Sequence, residues 1–331
     1  MLKLRLARIA SAIERRLDPL IQRRHVASLI APYIGYATPE HLVVRGRVLG
    51  NAQKTVAHAN QSKWRNLRQM VALFLTDEVS DVTVTCGDYT AVTDEEGYFT
   101  ILVPRGDQTG WTDQVISAGD VTAVCPVFVP HPDADFGVIS DIDDTMMETG
   151  AYSLWRNLWT SLTGNALTRK VFPDAVTLMT QLHQNGRNPV FFISSSPWNM
   201  HGFLDQIFAR TGLPKAPKFL RDYGISETQF ITGTHGDHKG SAIDRVLAAN
   251  PDLAFYLIGD TGQHDAHVYR DAVQRHPGRI KQVILRAPGD GADAEDMSYV
   301  DAIRAMGVPV DVAPDYIDTI AALHPDEPSL V

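Results

Sequence analysis

Phe136-Gly137-Val138-Ile139-Ser140-Asp141-Ile142-Asp143-Asp144-Thr145 is the stretch on which the fold turns. An apolar strand from Phe136 to Ser140 runs straight into the acids Asp141, Asp143 and Asp144. Strand alternation buries some of these acids at the mouth of a sheet. Like charges ~4 Å apart repel by about 4 kcal/mol per pair at an effective dielectric of about 20. Something positive must offset that, and a hard divalent cation with oxygen ligands, Mg²⁺ above all, does so. Taken alone, the same letters also spell an acidic turn or a helix cap.

Outward from this strand, apolar runs alternate with helical spacing. The spacing predicts a helix over Asp174–Gln184, a strand over Val190–Ile193 and a helix over Met200–Thr211. A strand follows at Phe230–Thr232, a helix at Lys239–Ala249 and a strand at Ala254–Ile258. A helix over Ala266–Arg275 and a strand over Lys281–Leu285 close the series. Alternation of this kind implies parallel strands joined by crossover helices, with the ligand site at the carboxyl ends of the strands. Polar residues stand at those ends. Val190–Ile193 runs into Ser194-Ser195-Ser196-Pro197, Leu257-Ile258 runs into Gly259-Asp260-Thr261-Gly262-Gln263-His264-Asp265, and Lys239 opens its helix, where an anion is favoured.

Strand–DxDxT, strand–Ser, Lys at a helix start and strand–GDxxxxD, in that order, resemble the haloacid dehalogenase-like superfamily. Ile193-Ser194-Ser195-Ser196-Pro197-Trp198-Asn199, with the two acidic motifs, is similar to the catalytic domain of the actin-patch-associated, Mg²⁺-dependent phosphatidate phosphatase family. The likeness covers roughly residues 135–310, with a looser one in the β-rich part through Asn66–Met70 and the Asp94–Phe99 turn. It implies an α/β fold: a parallel-sheet, Rossmann-like catalytic domain with a small cap. It also implies that Asp141 is the nucleophile and Asp143 the general acid and base. Mg²⁺ would be held by Asp141, the Asp143 carbonyl, Asp260 and Asp265. Ser194 and Lys239 would bind the phosphoryl oxygens, with Ser195 the competing hydroxyl and Thr145 and Asp144 in support.

Residues 31–134 form a β-rich domain ahead of the catalytic domain at 135–320. His41–Val48, Asp81–Cys86 and Tyr98–Val103 carry strand alternation, and Gln61–Leu75 has helical spacing. A small antiparallel β-sandwich is expected, with no catalytic spacing and with a partner that the sequence does not name. Residues 1–30 form a basic amphipathic helical segment. Lys3, Arg5, Arg8, Arg15, Arg16, Arg23 and Arg24 face only Glu14 and Asp18, and Leu2, Leu6, Ile9, Ile13, Leu17 and Leu20 recur at helical steps. Such a helix suits an anionic membrane surface or the body of the protein equally.

The whole chain has 331 residues with 30 basic and 39 acidic side chains, net −9, which excludes a surface built for nucleic acid. Cys86 and Cys125 make no disulfide framework. Arg5 and Arg8 interrupt any export signal, so the expected place is the cytoplasm, with peripheral membrane contact through residues 1–30 or Trp155 and Trp159. Those tryptophans lie in the segment of about 45 residues between the first motif and the serine strand. It is too short for a large cap, so a bulky phospholipid substrate fits. Met146 and Met147 line either an acyl path or the core. His235, His238 and His264 lack the paired spacing of a zinc site. The expected reaction is hydrolysis of phosphatidate to diacylglycerol and phosphate. Alternatives are the same mechanism on a soluble or other lipid phosphomonoester, or a non-catalytic partner-binding role.

Overall fold

The computed structural model describes residues 27–50, 79–148, 171–221, 235–289 and 291–323. The Trp155/Trp159 segment, Gln61–Leu75, Asn66–Met70 and Phe230–Thr232 lie outside the described residues, as do residues 1–26 of the basic segment. Beyond residue 26 the expected helix does not continue, because β1 (Leu29–Ala37) already begins at Leu29.

The C-terminal half is a six-stranded sheet in which every neighbouring pair is parallel. Its strands are β8 (Gly137–Asp141), β9 (Val190–Pro197), β10 (Lys218–Arg221), β11 (Phe255–Asp260), β12 (Ile280–Arg286) and β13 (Val310–Ala313). They lie in the order β10-β9-β8-β11-β12-β13. The chain therefore winds outward in one direction from β8 and in the other from β11, leaving a crevice between them at their carboxyl ends, where open α/β sheets place ligands.

Alternating side chains build both faces. Val138, Val190, Phe192, Tyr256, Ile258 and Ile284 pack toward α1 (Pro173–His183) and α2 (His201–Thr211). Ile139, Phe191, Ile193, Leu257, Val283 and Leu285 pack toward α3 (His235–Ala249), α4 (Asp265–Arg275) and α5 (Ala294–Ala305). Each large side chain buried this way contributes roughly 1.5–3 kcal/mol, and the two-sided burial explains why the strands read as near-continuous apolar runs. Met146 and Met147, 0% and 2% exposed, belong to the first of these cores, which settles them as packing residues. A short α6 (Ile317–Leu323) ends the described chain. Gly137 is required at the start of β8, since a Cβ there would lie 2.1 Å from the Phe255 ring.

The N-terminal half departs from the expected antiparallel sandwich. Besides β1, its strands are β2 (His41–Leu49), β3 (Thr83–Cys86), β4 (Tyr89–Val92), β5 (Tyr98–Pro104), β6 (Gly110–Ala118) and β7 (Val121–Val129). They form one continuous sheet in the order β4-β3-β6-β7-β1-β2-β5, with β1 parallel to β7. Its end strands, β4 and β5, approach each other, so the sheet curls round a core containing Val44, Val84, Phe99, Ile101, Ile116 and Val127. Alternation specifies one dry face and one wet face; a curled sheet and two stacked ones satisfy it equally. Cys86 and Cys125 are both buried as free thiols.

Asn188 ties the entrance of β8 to the end of α1. Its Nδ2 donates to the Leu182 carbonyl at 2.9 Å and its Oδ1 accepts from the Asp135 N–H at 3.0 Å. Asn188 is fully buried, so truncation leaves both backbone groups unpaired at a cost of about 1–3 kcal/mol. Asn188→Ala is expected to lower the urea unfolding midpoint by that equivalent with an unchanged slope; an unmoved midpoint contradicts the assignment.

Candidate active site

Asp141 is the last residue of β8 and Asp260 the last of β11, so the crevice at the switch point is walled by a carboxylate from each side. Asp265 joins them from the first turn of α4. The chain returns to the crevice through His264, which holds a left-handed φ of 66° and is exposed. Gly259 makes room for this return, because a Cβ there would stand 2.6 Å from Asp265 Oδ2 and 2.8 Å from the Tyr269 ring. The Asp260 N–H then donates to Asp265 Oδ2 at 3.2 Å, and the Tyr269 hydroxyl donates to the Ile258 carbonyl at 2.7 Å.

One oxygen from each of Asp141, Asp260 and Asp265 lies within 4.8 Å of the others, and all three residues are buried. Lys239 is the counter-charge: its Nζ is 2.8 Å from Asp141 Oδ1 and 2.5 Å from Asp265 Oδ1. The helix expected to open at Lys239 begins at His235 instead. The lysine therefore reaches the carboxylates along its four-carbon stem from the second turn, away from the free N–H groups of a helix start. Burial would lower its pKa, but Asp141, Asp265 and Asp260 outweigh that and hold the ammonium above its ordinary value. Burial first, and then mutual repulsion, push Asp141 and Asp260 well above the usual carboxylate range.

Among the described residues three buried carboxylates face the one ammonium of Lys239, an excess of two negative charges when all three are ionised. Among the described residues, no group donates a directed hydrogen bond to either oxygen of Asp141 or to Asp260 Oδ1. A donor set of oxygens only, with buried lone pairs and a charge of −2, fits a hard divalent cation such as Mg²⁺.

Asp143, two residues beyond Asp141, is half-buried. Its Oδ2 accepts from Ser194 Oγ at 2.7 Å and from Ser196 Oγ at 2.9 Å, while the Ser196 N–H donates back to Ser194 Oγ at 2.9 Å. The serines are part of β9 rather than a turn beyond it. Residues two apart on a strand share a face, so Ser194 and Ser196 meet Asp143 together and Ser195 falls on the opposite side. The Asp143 carbonyl accepts from Gln263 Nε2 at 2.7 Å. Thr145 is buried beside Asp260, its Oγ1 3.5 Å from Asp260 Oδ2, and the Tyr316 hydroxyl donates to its carbonyl at 3.4 Å.

Sequence reading missed Ser196 and Gln263. The two-residue period of β9 contained the signal for the first; Gln263 had none beyond lying inside the third motif. His238 is half-buried, with burial pushing its ring down, and does not join the carboxylates. The arrangement can place a carboxylate nucleophile, a proton donor two residues along and a dication in one crevice.

Residues 136–287 match the family described as phosphatidate phosphatase APP1, catalytic domain. The match takes in a little under half of the chain, and it shows what this segment is similar to. The phosphatidate phosphatase APP1 of Saccharomyces cerevisiae is 27% identical over 150 residues, which is 45% of this chain and 25% of that protein. An uncharacterised protein of Schizosaccharomyces pombe is 25% identical over 230 residues, 66% of this chain and 37% of its own. The chain thus spans between a quarter and somewhat over a third of the length of these relatives. A solved structure of a proposed β-phosphoglucomutase from Thermotoga maritima aligns over 56% of this chain and 98% of its own, at 12% identity and a TM-score of 0.34. Every side chain of the carboxylate–lysine–serine cluster falls inside the APP1 segment, whereas Tyr316 and the whole curled sheet lie outside it.

The raised Asp141 and Asp260 values fix the sign of a pH effect. A carboxylate whose folded value exceeds its unfolded value stabilises fully below the unfolded value, near ~3.9, and loses that contribution as pH rises through the folded one. Metal-free protein is therefore expected to melt at lower temperature at pH 8 than at pH 5. Millimolar Mg²⁺ restores stability at pH 8, by about 2.7 kcal/mol at a hundred times Kd. Asp260→Asn weakens both effects, leaving the Asp141 share of the pH dependence. A metal-free melting temperature that rises over this interval, unaffected by Asp260→Asn, contradicts the cluster.

Proposed function

We propose that the chain is a phosphoric monoester hydrolase: an Mg²⁺-dependent phosphatidate phosphatase that works through an aspartyl-phosphate. The observation that carries this reading is the convergence of Asp141, Asp260 and Asp265 on one buried point, with Asp143 aimed from the side. The active unit is the phosphatase domain at 135–320, preceded by the β-rich domain at 31–134.

Mg²⁺ would be held by Asp141, Asp260, Asp265 and the Asp143 carbonyl, supplying positive charge that lets an anionic carboxylate meet an anionic phosphate. A carboxylate oxygen of Asp141 attacks phosphorus, and the bond from phosphorus to the ester oxygen breaks. Protonated Asp143 gives its proton to that oxygen, releasing diacylglycerol. Water then attacks the phosphorus, Asp143 takes its proton, and the bond to Asp141 breaks to give inorganic phosphate. Ser194 and Lys239 steady the phosphoryl oxygens as charge moves. Each serine hydroxyl has one proton, and both point at Asp143 while it is a carboxylate. Ser194 can turn its one proton from Asp143 to the phosphoryl group when substrate is bound, leaving Ser196 to hold Asp143. Thr145 supports Asp260, and Ser195 is the less suited hydroxyl. Among the described residues no helix is long and apolar enough to cross a membrane. We place the enzyme in the cytoplasm, meeting phospholipid peripherally through residues 1–30 or Trp155 and Trp159.

Phosphate release from phosphatidate in mixed micelles and from p-nitrophenyl phosphate, with and without Mg²⁺, tests the proposal. Release from both with Mg²⁺, its loss in chelator and a drop of at least about a thousandfold in Asp141→Asn are expected. An Asp141→Asn protein near the wild-type rate overturns the covalent route. Turnover of the aryl ester without the lipid overturns the substrate alone.

A further inference from the structure

The curled sheet touches the serine strand through Trp198, which begins a single 3₁₀ turn immediately after Ser194-Ser195-Ser196-Pro197. The Trp198 ring lies edge-on to Tyr33 of β1 at 5.0 Å and tilted against Tyr98 of β5 at 5.1 Å. Beneath it is Arg45 of β2, 4% exposed, with its guanidinium carbon 5.8 Å from the Trp198 centroid and 4.7 Å from that of Phe219. Among the described residues the partners of Arg45 are rings and carbonyls. It donates to the Ile34 carbonyl at 3.1 and 3.0 Å and, across the sheets, to the Lys218 carbonyl of β10 at 2.9 Å. Burial pushes its pKa down to about 10. A buried cation without a carboxylate is a costly tie, and this one joins the curled sheet to β10, the strand next to β9.

Two residues before Trp198, the Ser196 hydroxyl holds Asp143 at 2.9 Å. The mechanical chain therefore runs from Tyr33, Arg45 and Tyr98, through Trp198 and the end of β9, to the carboxyl group assigned to proton transfer. A displacement of about 1 Å in such a group costs on the order of a hundredfold in rate. We infer that Tyr33, Arg45 and Tyr98 are positioning residues for phosphoryl transfer, fixing Trp198 so that Ser194 and Ser196 aim Asp143. The inference rests on the functional reading above and extends the working unit beyond residues 136–287, which alone match the catalytic family.

Tyr98 is half-buried and tolerates truncation better than Arg45, so the test uses full-length Tyr98→Ala and Tyr98→Phe. The expected result on p-nitrophenyl phosphate with Mg²⁺ is a kcat lowered at least about tenfold in Tyr98→Ala, with KM within about twofold. Tyr98→Phe, which keeps the ring, restores kcat to within about twofold. A second readout does not depend on turnover. Amide hydrogen exchange over residues 194–200 accelerates at least about tenfold in Tyr98→Ala, while β11 and β12 exchange as in wild type. A folded Tyr98→Ala protein with wild-type kcat, or with unchanged exchange over 194–200, overturns the inference. Should wild type itself release no phosphate, the functional reading fails, and the exchange result still decides whether Tyr98 holds the serine strand.

Discussion

Three buried carboxylates facing one ammonium are the constraint on which this molecule is organised. Asp141, Asp260 and Asp265 lie within 4.8 Å of one another, and Lys239 compensates only one of their charges. Such an arrangement is unfavourable as it stands; raised carboxylate values are the sign of it. A protein keeps it when a cation repays the cost and when the resulting field does chemistry. The rest of the fold can be understood as the apparatus that holds these groups together against their repulsion.

The parallel sheet is the main part of that apparatus. The strand order puts β8 and β11 side by side while the chain leaves them in opposite directions, so their terminal aspartates meet in one crevice at the switch point. Gly259 and the left-handed His264 fold the chain back far enough for Asp265 to enter as well. On the other flank, β9 adds two hydroxyls to Asp143 from a single strand face. The curled sheet meets that flank through Tyr33, Tyr98 and the buried guanidinium of Arg45, all packed about Trp198 at the end of β9.

Much of this was legible in the sequence because the decisive signals are local. Apolar runs ending in Asp141, Ser194 and Asp260 mark strand ends, and the spacing from Asp260 to Asp265 marks a turn into a helix. What escaped is non-local or too brief. β10, Lys218-Phe219-Leu220-Arg221, has charged ends and only two apolar residues between them. The start of β1 at Leu29 is hidden because a helical period in leucine precedes it. α5 was signalled by a capping box, Asp293 with Asp296, yet an aspartate in the second position is a weaker mark than glutamate. The meeting of Tyr33 and Tyr98 with Trp198 spans about a hundred residues or more, and no periodicity encodes it. The curl of the first sheet is likewise invisible, since it depends on which edges meet.

Asp141 and Asp260 are expected to share one dication. Anomalous diffraction at the manganese edge, from crystals grown with Mn²⁺ in place of Mg²⁺, reads this out directly. A single strong peak bonded to carboxylate oxygens of both Asp141 and Asp260 is the predicted result. A crystal with Mn²⁺ bound elsewhere and no peak between those two side chains would contradict it.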